Sequence, residues 1–366
     1  MLKNIVTFMV SALVSVLLAE AVVRIAFDPV DYLAIETEAD PVLNHRIAPG
    51  AGGHDDWGYR NPQVPETAEV LAIGDSMTYG IMAKSREAWP AQMQQATGTG
   101  VYNAALGGYG PLHYLHILKT RAPALDPAQV IVMIYLGNDL MDTYNLAYSN
   151  AHWRDYRLNP AAEELDAGLF LAAPRRESPT KRLRNWLAGH SVLYRMITQT
   201  PLFDSIRERE RLAGSGTAFA YDHLGAQIVL DPLQKLTFVD ADDPRIREAL
   251  QITQRALTEM ADYCAEQGIA LHVAVMPVRE HVFAGIAAAD LTPAQQQDMR
   301  KLAGNLEAIE MELAAILDAA GIARTDLRPV LEQALQTGNI YPPTDGHPNA
   351  AGYKVIAEAL APVIEN

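Results

Sequence analysis

The sequence predicts an α/β protein in which helices cover both faces of a central parallel sheet. Short apolar runs that end at glycine or polar residues alternate along the chain with longer stretches of helical periodicity. Strands and helices in this order connect through right-handed crossovers, which place helices on both faces of the sheet. Hydrophobic residues make up 49% of the 366 residues, and a packed core needs a fraction near one half. At about 150 residues per domain, the length allows two domains or one large domain.

The clearest strand is 129–136, an apolar run of the length expected for a buried parallel strand. The weakest is 322–327, which follows a long helical stretch. In chain order the predicted strands cover residues 69–73, 101–105, 129–136, 269–276 and 322–327. The helices predicted between and after them cover residues 85–97, 112–121, 245–267, 293–320 and 350–364.

The first 27 residues predict a helix that crosses a membrane. Residues 5–19 carry no charge, and the apolar character resumes after Glu20 and Arg24. At about 1.5 Å per residue, positions 5–27 reach about 34 Å, which exceeds a hydrocarbon core of about 30 Å. Because Glu20 and Arg24 are four residues apart, they can pair on one helix face near the far interface.

A cleaved signal peptide is the alternative, because Ala19-Glu20-Ala21 fits the small-x-small cleavage pattern. We favour an uncleaved single-pass anchor, since a cleaved peptide does not need the renewed apolar run. Lys3 precedes the segment and acidic residues follow it, so the amino terminus is expected in the cytoplasm and the body outside. The single cysteine, Cys264, cannot form an internal disulfide and is expected to be a small packed residue.

The chain is thus predicted to divide into a transmembrane anchor (1–27), a tether (28–66) and a domain (67–366). Prolines and glycines interrupt any long helix in the tether, where His45 and His54 are expected to be solvated. Within the domain, residues 141–243 interrupt the alternation of strands and helices. A stretch of that length is far longer than an ordinary loop, so it is expected to form a lid or a subdomain.

This insertion is locally basic although the chain is acidic. Residues 175–211 contain nine basic and four acidic residues, and apolar residues including Trp186 recur at near-helical spacing over 183–197. One interpretation is an amphipathic helix that lies on anionic headgroups or receives an acidic glycan. The other, which we favour because apolar stripes usually pack on their own protein, is a solvated helix that covers the sheet.

The charge and motifs of the chain exclude several classes of ligand. A formal charge of −15 repels a nucleic-acid backbone, so no nucleic-acid partner is expected. The glycines of 97–100 precede a strand rather than open a helix, which disfavours nucleotide binding. His113 and His116 are three residues apart without a third ligand nearby, and packing or surface roles are favoured over a metal site. The sequence therefore predicts neither a cofactor nor a metal ion.

Four short polar motifs fall where catalytic groups of a parallel sheet gather, at the carboxyl ends of strands or just before the final helix. Together they supply a hydroxyl, a peptide N–H in a glycine turn, a carboxamide, and an acid with a base. These are the groups that acyl transfer requires. The motifs are Gly74-Asp75-Ser76 with its continuation to Gly80, Asn103 to Gly110, Gly137-Asn138-Asp139, and Asp345-Gly346-His347-Pro348-Asn349.

In this order and placement the motifs resemble the four blocks of the SGNH (GDSL) hydrolase superfamily. The resemblance covers residues 69–140 and 245–366, and it implies a three-layer, flavodoxin-like sheet. It implies that Ser76 is the nucleophile and His347 the base, and that Gly108 and Asn138 donate to an oxyanion together with the Ser76 amide. Gly108 is preferred to Gly107 because it stands five residues after Asn103, as in the family block. Membrane-attached members with a Gly-Tyr-Gly second block look most similar.

The acid is where the sequence departs from the family pattern. Many members have Asp-x-x-His, whereas here the carboxylate of Asp345 is two positions before His347 and Thr344 stands at the usual place. Asp345 remains the best candidate for the acid. Asp139 and Asp142 could touch substrate, but carboxylates after a strand end are more often turn or cap residues.

These residues predict a serine-dependent esterase or O-acyltransferase that acts on acyl, in particular acetyl, esters of cell-envelope glycans or lipids. Position 78 is not glycine, so the motif does not match the G-x-S-x-G elbow of α/β-hydrolases. The alternative is a membrane-tethered accessory subunit that uses the same fold to contact a membrane-protein partner. The intact Ser76, Asn138 and His347 favour the enzyme.

Overall fold

A computed structural model describes residues 2–159, 178–198 and 216–364. Its strands are β1 (Thr37–Asp40), β2 (Asn44–Ile47), β3 (Val70–Gly74), β4 (Val101–Ala105), β5 (Gln129–Tyr135), β6 (Phe219–His223), β7 (Ala226–Leu230), β8 (Ala270–Met276) and β9 (Ala323–Asp326). Its helices are α1 (Leu2–Ala26), α2 (Ser76–Tyr79), α3 (Trp89–Thr97), α4 (Pro111–Leu125), α5 (Asp139–Ser149), α6 (Pro179–His190), α7 (Val192–Thr198), α8 (Pro232–Val239), α9 (Pro244–Gln267), α10 (Arg279–Ala287), α11 (Pro293–Ala319), α12 (Arg328–Leu335) and α13 (Ala350–Leu360).

The central sheet contains the five predicted strands, all parallel, in the order β4-β3-β5-β8-β9. This is the flavodoxin-like order, in which the connection reverses direction after the second strand. Val70 of β3 lies between Val101 of β4 and Gln129 of β5, and β5 in turn lies between β3 and β8. The two strands β3 and β5 therefore form the buried centre of the sheet. The predicted α/β class and its five strands are confirmed.

Helices cover both faces of the sheet, as predicted. α3 packs against α13 on one face, and α9 packs against α4 and α11 on the other. The predicted helix at 112–121 continues to Leu125 through Pro123. Ala122 and Leu125 are buried, and their packing outweighs the hydrogen bond that the proline removes.

Three helix starts carry the polar motifs to the carboxyl edge of the sheet. Asp75 caps α2, where its carboxylate accepts the N–H of Met77 at 2.8 Å. Asn138 occupies the N-cap position of α5, and Asn349 caps α13 through the N–H of Ala351 at 2.9 Å. Because short polar residues are favoured at N-caps, each motif also ends the preceding loop.

The residues predicted to form a tether contact the domain along much of their length. Arg60 forms a buried ion pair of 3.0 Å with Asp31, and Asn44 Nδ2 donates to Ser149 Oγ at 2.8 Å. The expectation that His45 and His54 are solvated is wrong. His54 is 7% exposed and its Nε2 lies 2.8 Å from the Tyr79 hydroxyl, while His45 lies on β2 against the glycine turn of the second motif.

The predicted insertion contains α6, α7, α8 and the antiparallel hairpin of β6 and β7. Its residues 160–177 and 199–215, which include much of the basic stretch, lie outside the described residues. Pro343 O accepts the N–H of Val229 at 2.8 Å, so the hairpin contacts the loop that leads to the fourth motif. The anchor, insertion and domain boundaries at 27, 66 and 141–243 remain a prediction.

Of the described helices, α1 is the one long and apolar enough to cross a membrane. The candidate span is Lys3–Ala26, with a mean hydropathy of 2.3 and no part of it buried in the protein. Glu20 and Arg24 form the predicted pair, at 2.7 Å.

We expect Gly58 to be essential to the packing of the N-terminal segment. Its φ is +82°, and a Cβ placed on it would lie 2.2 Å from Ile47 O on β2. Gly58→Ala should lower the free energy of unfolding by about 1–2 kcal/mol through the left-handed backbone and by about 1–3 kcal/mol more through the clash. Urea unfolding of the full chain in detergent, followed by tryptophan fluorescence, measures the loss.

The matched control is Gly50→Ala, because Gly50 has a φ of +71° but nothing within 4 Å of its Cβ position. This variant should show only the backbone cost. Equal losses for the two variants would mean that the segment does not pack as described.

Candidate active site

Ser76 stands at a tight turn between β3 and α2. It follows Asp75 and opens the helix, so its hydroxyl lies at the carboxyl edge of the sheet. A Cβ at Gly74 would lie 2.2 Å from Thr78 Oγ1, and this contact explains the glycine at the strand end. The local geometry therefore presents the serine hydroxyl at a fixed position.

Ser76, His347 and Asp345 form a continuous hydrogen-bonded chain. The Ser76 hydroxyl donates to His347 Nε2 at 2.8 Å, and His347 Nδ1–H donates to Asp345 Oδ1 at 2.5 Å. These tautomers follow from the ionised carboxylate, which only accepts. The same Asp345 oxygen accepts the backbone N–H of His347 at 2.9 Å. The spacing of two residues therefore suits the acid, because one oxygen holds both the ring and the backbone of His347.

The charge of Asp345 is stabilised by its neighbours. Burial raises the pKa of this carboxyl, but the hydrogen bonds from His347 and the positive charges of His347 and Arg279 outweigh burial and bring the pKa to about 2. Asp345 is therefore ionised at neutral pH and can stabilise a protonated His347.

A second carboxylate competes for the serine hydroxyl. Asp75 Oδ2 lies 3.1 Å from Ser76 Oγ, slightly farther than His347 Nε2. Asp75 is fully buried, and burial raises its pKa against the opposing effect of the Met77 N–H.

The glycine turn of the second motif lies beside the serine. A Cβ at Gly107 would lie 3.5 Å from Ser76 Cβ, and Gly108 has a φ of +80°, which favours glycine. Asn138 does not use its side chain to cap α5. Its Nδ2 instead donates to Asp142 Oδ2 at 2.5 Å, one turn into the helix. The roles of Gly108 and Asn138 as oxyanion donors remain a prediction.

Asp142 has an unusual protonation behaviour. It lines a cavity of about 170 Å³ that begins at Gly108 and extends along α5 to Ser149. Burial raises its pKa to about 7, although the hydrogen bond from Asn138 favours the charged form. Asp139, by contrast, is fully buried and accepts from the Tyr114 hydroxyl and the Tyr135 N–H, which agrees with a structural role.

Two histidines lie against this cavity. His45 Nε2 contacts Gly107 O at 3.1 Å, and burial lowers the pKa of His45. His113 is buried, stacks on Tyr109 with ring centroids 4.4 Å apart, and accepts the Gly110 N–H at 3.0 Å. His113 is thus the packing histidine that the sequence predicts. Among the described residues, no group of three or more His, Cys, Asp or Glu side chains could hold a metal ion.

Arg279 is a residue of the site that sequence reasoning missed. It is 1% exposed, and its guanidinium donates to Asp345 O at 2.6 Å and to Val229 O. It also pairs with Glu280 at 3.2 Å. Arg279 therefore ties the loop of Asp345 to β7 and to the start of α10. Its position just after β8, at the carboxyl edge of the sheet, is the signal that could have found it.

The carboxyl-terminal part of the chain matches a known family. Residues 238–366 match the family model described as the SGNH hydrolase-like domain, acetyltransferase AlgX. This segment contains Asp345 and His347, whereas Ser76 lies before it. The resemblance to the SGNH (GDSL) hydrolase superfamily is confirmed over this segment, and the five-stranded parallel sheet has the flavodoxin-like order that the resemblance implies. No curated protein matches the sequence.

Several solved structures are similar over most of their length. A member of the lipolytic protein G-D-S-L family from Veillonella parvula has 11% identity and a TM-score of 0.39, covering 81% of this chain and 98% of its own. A catalytic mutant of an acetylxylan esterase from Geobacillus stearothermophilus has 12% identity and a TM-score of 0.36, covering 83% and 96%. Esterase EstA from Pseudoalteromonas has 9% identity and a TM-score of 0.37, covering 82% and 97%. Likeness at these levels carries no information about substrate.

We expect Asp142 to make stability depend on pH near neutrality. Its pKa of about 7 in the fold is above the ordinary value of 3.8, so the folded protein holds a proton that the unfolded chain has lost. Stability should therefore fall as the pH rises from about 4 to 7 and then level off. Asp142→Asn removes this titration. The free energy of unfolding of the variant, relative to that of the wild type, should therefore rise between pH 5 and pH 8, as measured by urea unfolding.

The control is Asp242→Asn, because the Asp242 side chain is 99% exposed and its loss removes the same charge from the surface. If the free energy of unfolding changes with pH in the same way for wild type and Asp142→Asn, Asp142 does not titrate in this range.

Proposed function

We propose that the protein is a serine-dependent esterase or O-acyltransferase that acts on acyl, in particular acetyl, esters of cell-envelope glycans or lipids. The observation that carries the proposal is the hydrogen-bonded chain of Ser76, His347 and Asp345 at the carboxyl edge of the sheet. The match to an SGNH hydrolase-like domain supports the class of enzyme. The proposed substrate class depends on the cavity beside the glycine turn and on the location of the amino-terminal helix.

In the first step, Ser76 Oγ attacks the ester carbonyl while His347 Nε2 takes its proton. Asp345 holds Nδ1–H and stabilises the imidazolium that forms. The carbonyl oxygen becomes an oxyanion, for which we assign the N–H groups of Ser76 and Gly108 and the Asn138 carboxamide as donors. A donor of this kind contributes a factor of roughly 10²–10³ to the rate.

In the second step, the tetrahedral intermediate collapses and the C–O bond to the leaving alcohol breaks. The alcohol oxygen takes the proton from His347, which leaves the acyl group on Ser76 and a neutral imidazole. Water or an acceptor hydroxyl then attacks the acyl carbon while His347 takes its proton. Collapse returns that proton to Ser76 and releases either the acid or a new ester, so hydrolysis and transfer share every residue.

The size of the cavity supports a short acyl group. It holds about 170 Å³, is bounded by Gly108 and Asp142, and ends at Leu146 and Ser149. Ser76 is not among its lining residues, so we place the acyl group there because Gly107, next to Gly108, lies beside Ser76, and the small volume suits a short acyl chain.

The proposed location follows from the amino-terminal helix. We assign α1 as an uncleaved single-pass anchor in the cytoplasmic membrane, with the domain on the periplasmic or extracellular side. The charge asymmetry supports this orientation, because Lys3 precedes the span and acidic residues follow it. An enzyme held there meets acylated envelope glycans and lipids, which is why we propose them as substrates.

The first test uses the full chain in detergent with a small activated acetate ester and a serine-directed fluorophosphonate. Ser76→Ala should lose both hydrolysis and labelling, because both require the Ser76 oxygen. Ser85→Ala, a second serine nine positions away, should keep both. Activity or labelling that survives in Ser76→Ala would remove Ser76 from the mechanism. If folded wild type shows neither hydrolysis nor labelling, the accessory-subunit alternative is favoured.

The second test separates oxyanion stabilisation from substrate binding at Asn138. Asn138→Ala should lower kcat by roughly 10²–10³ with little change in KM, because the donor acts mainly in the transition state. Asn145 lines the cavity beside Gly108, farther along α5, so Asn145→Ala should change KM more than kcat. A loss at Asn138 that falls mostly on KM would assign it to substrate positioning instead.

A further inference from the structure

The insertion carries an exposed apolar strip. Leu183 and Trp186 on α6 and Ile197 on α7 are each more than half exposed, at 57–59%. The interpretation favoured from the sequence, that this apolar stripe covers the sheet, is therefore wrong for these side chains. We call α6 and α7 together the insertion platform.

The strip on α6 has basic residues on both sides. At about 100° per residue, Leu183, Trp186 and Leu187 share one helix face with a width of about 100°. Arg182 and Arg184 then lie about 100° to either side of Leu183. An apolar face with a tryptophan and flanking arginines is the arrangement of a helix that lies in a membrane interface.

The insertion platform is fixed to the end of the candidate span. The Glu20 carboxylate accepts the N–H groups of Val192 and Leu193 at 2.9 and 3.0 Å and the hydroxyl of Ser191 at 2.8 Å. Arg24 donates to His190 O between the two helices. Glu20 lies six residues before the end of α1, a rise of about 9 Å, so the platform meets the last two turns of α1 at a depth where an interfacial helix lies.

Charge complementarity points to an anionic surface. The chain has a net charge of −15, and an anionic bilayer repels most of its surface. Residues 178–198, which form the insertion platform and its flanks, reverse this balance with four basic and no acidic residues. Clustered basic residues next to a span are attracted to anionic lipid, so the local charge selects the face that approaches the membrane.

We propose that the insertion platform lies in the headgroup region of an anionic bilayer, the same membrane that α1 crosses, with Leu183, Trp186 and Ile197 inserted toward the acyl boundary. The protein then has two attachments to the membrane, which fix the tilt of the domain as well as its distance from the bilayer. The proposal rests on the insertion of α1 and is independent of the reaction assigned to Ser76.

The platform is also linked to the loop that follows the candidate nucleophile. Arg195 Nε donates to Tyr32 O at 2.7 Å, and the adjacent Asp31 pairs with Arg60. Arg60 Nη1 in turn donates to Gly80 O at 2.7 Å, just after α2. Seating the platform on lipid therefore sets the orientation of the site relative to the membrane surface.

The test measures the depth of single fluorescent labels on the full chain in lipid nanodiscs. Single cysteines are introduced as Leu183→Cys, Trp186→Cys and Ile197→Cys, and the one natural cysteine, Cys264, is buried away from reagents. Lys181→Cys on the opposite side of α6 and Met311→Cys on α11 are controls, and Leu13→Cys reports the insertion of α1. Each labelled protein is exposed to a lipid-borne quencher and to aqueous iodide, in phosphatidylglycerol and in phosphatidylcholine.

In phosphatidylglycerol, labels at 183, 186 and 197 should be quenched by the lipid-borne quencher about threefold or more over labels at 181 and 311, as an interfacial helix requires. The difference should shrink in phosphatidylcholine and in the double variant Arg182→Glu, Arg184→Glu, while the label at 13 stays quenched.

Labels at 183 and 186 that iodide reaches as easily as the label at 311 would overturn the proposal and leave the anchor intact. Labels shielded from both quenchers would overturn it too, because they would show a protein covering, from a second copy or another partner. A label at 13 that lipid does not quench would remove the premise, and the platform proposal would fail with it. None of these outcomes bears on the acyl-transfer proposal, which the Ser76→Ala assay tests separately.

Discussion

The hydrogen bond between Ser76 and His347 joins residues that are 271 positions apart in the chain. It can form because β3 lies at the centre of a parallel sheet and α13 returns to the same face as α3. Two further contacts fix this return, since Gln92 Nε2 donates to Ala350 O and the Tyr353 hydroxyl donates to Ile81 O, each at 2.9 Å. The loops at the site are therefore positioned by packed helices rather than by their own rigidity.

The environments of the carboxyl groups around the site shift their pKa values in opposite directions. Asp345 accepts from a histidine and lies near Arg279, so its pKa falls to about 2. Burial raises the pKa of Asp75, Asp139 and Asp142. This difference matters for acyl transfer, because the imidazolium needs an ionised neighbour whereas an oxyanion is destabilised by negative charge nearby.

The sheet and the proposed catalytic residues could be predicted from the sequence because local patterns specify them. Apolar runs mark the buried strands β3, β4, β5 and β8, and polar motifs at strand ends or just before the last helix mark Ser76, Asn138 and His347. The hairpin of β1 and β2 could not be found this way, because residues 37–40 are Thr-Glu-Ala-Asp and mostly exposed, which leaves no apolar alternation. His45 reaches the glycine turn from that hairpin, and a contact over 62 positions has no local signal. Arg279 is different, since its place after β8 was visible, but the groups that it contacts on β7 and beside His347 are backbone carbonyls, which leave no signal in the sequence.

The proposed attachment to the membrane is consistent with a small cavity beside the candidate site. The cavity at Gly108 holds about 170 Å³, whereas a larger cavity of about 510 Å³ lies between the end of α1 and the domain, beside Arg60. A soluble enzyme needs an extended pocket to bind a dilute substrate, because binding must overcome the loss of translational freedom. An enzyme held at the surface that carries its substrate meets a high effective concentration, so the acyl group is the part that the site must enclose. The orientation of the domain then matters more than the depth of its pocket, and the contacts of Glu20 and Arg60 connect the span to that orientation.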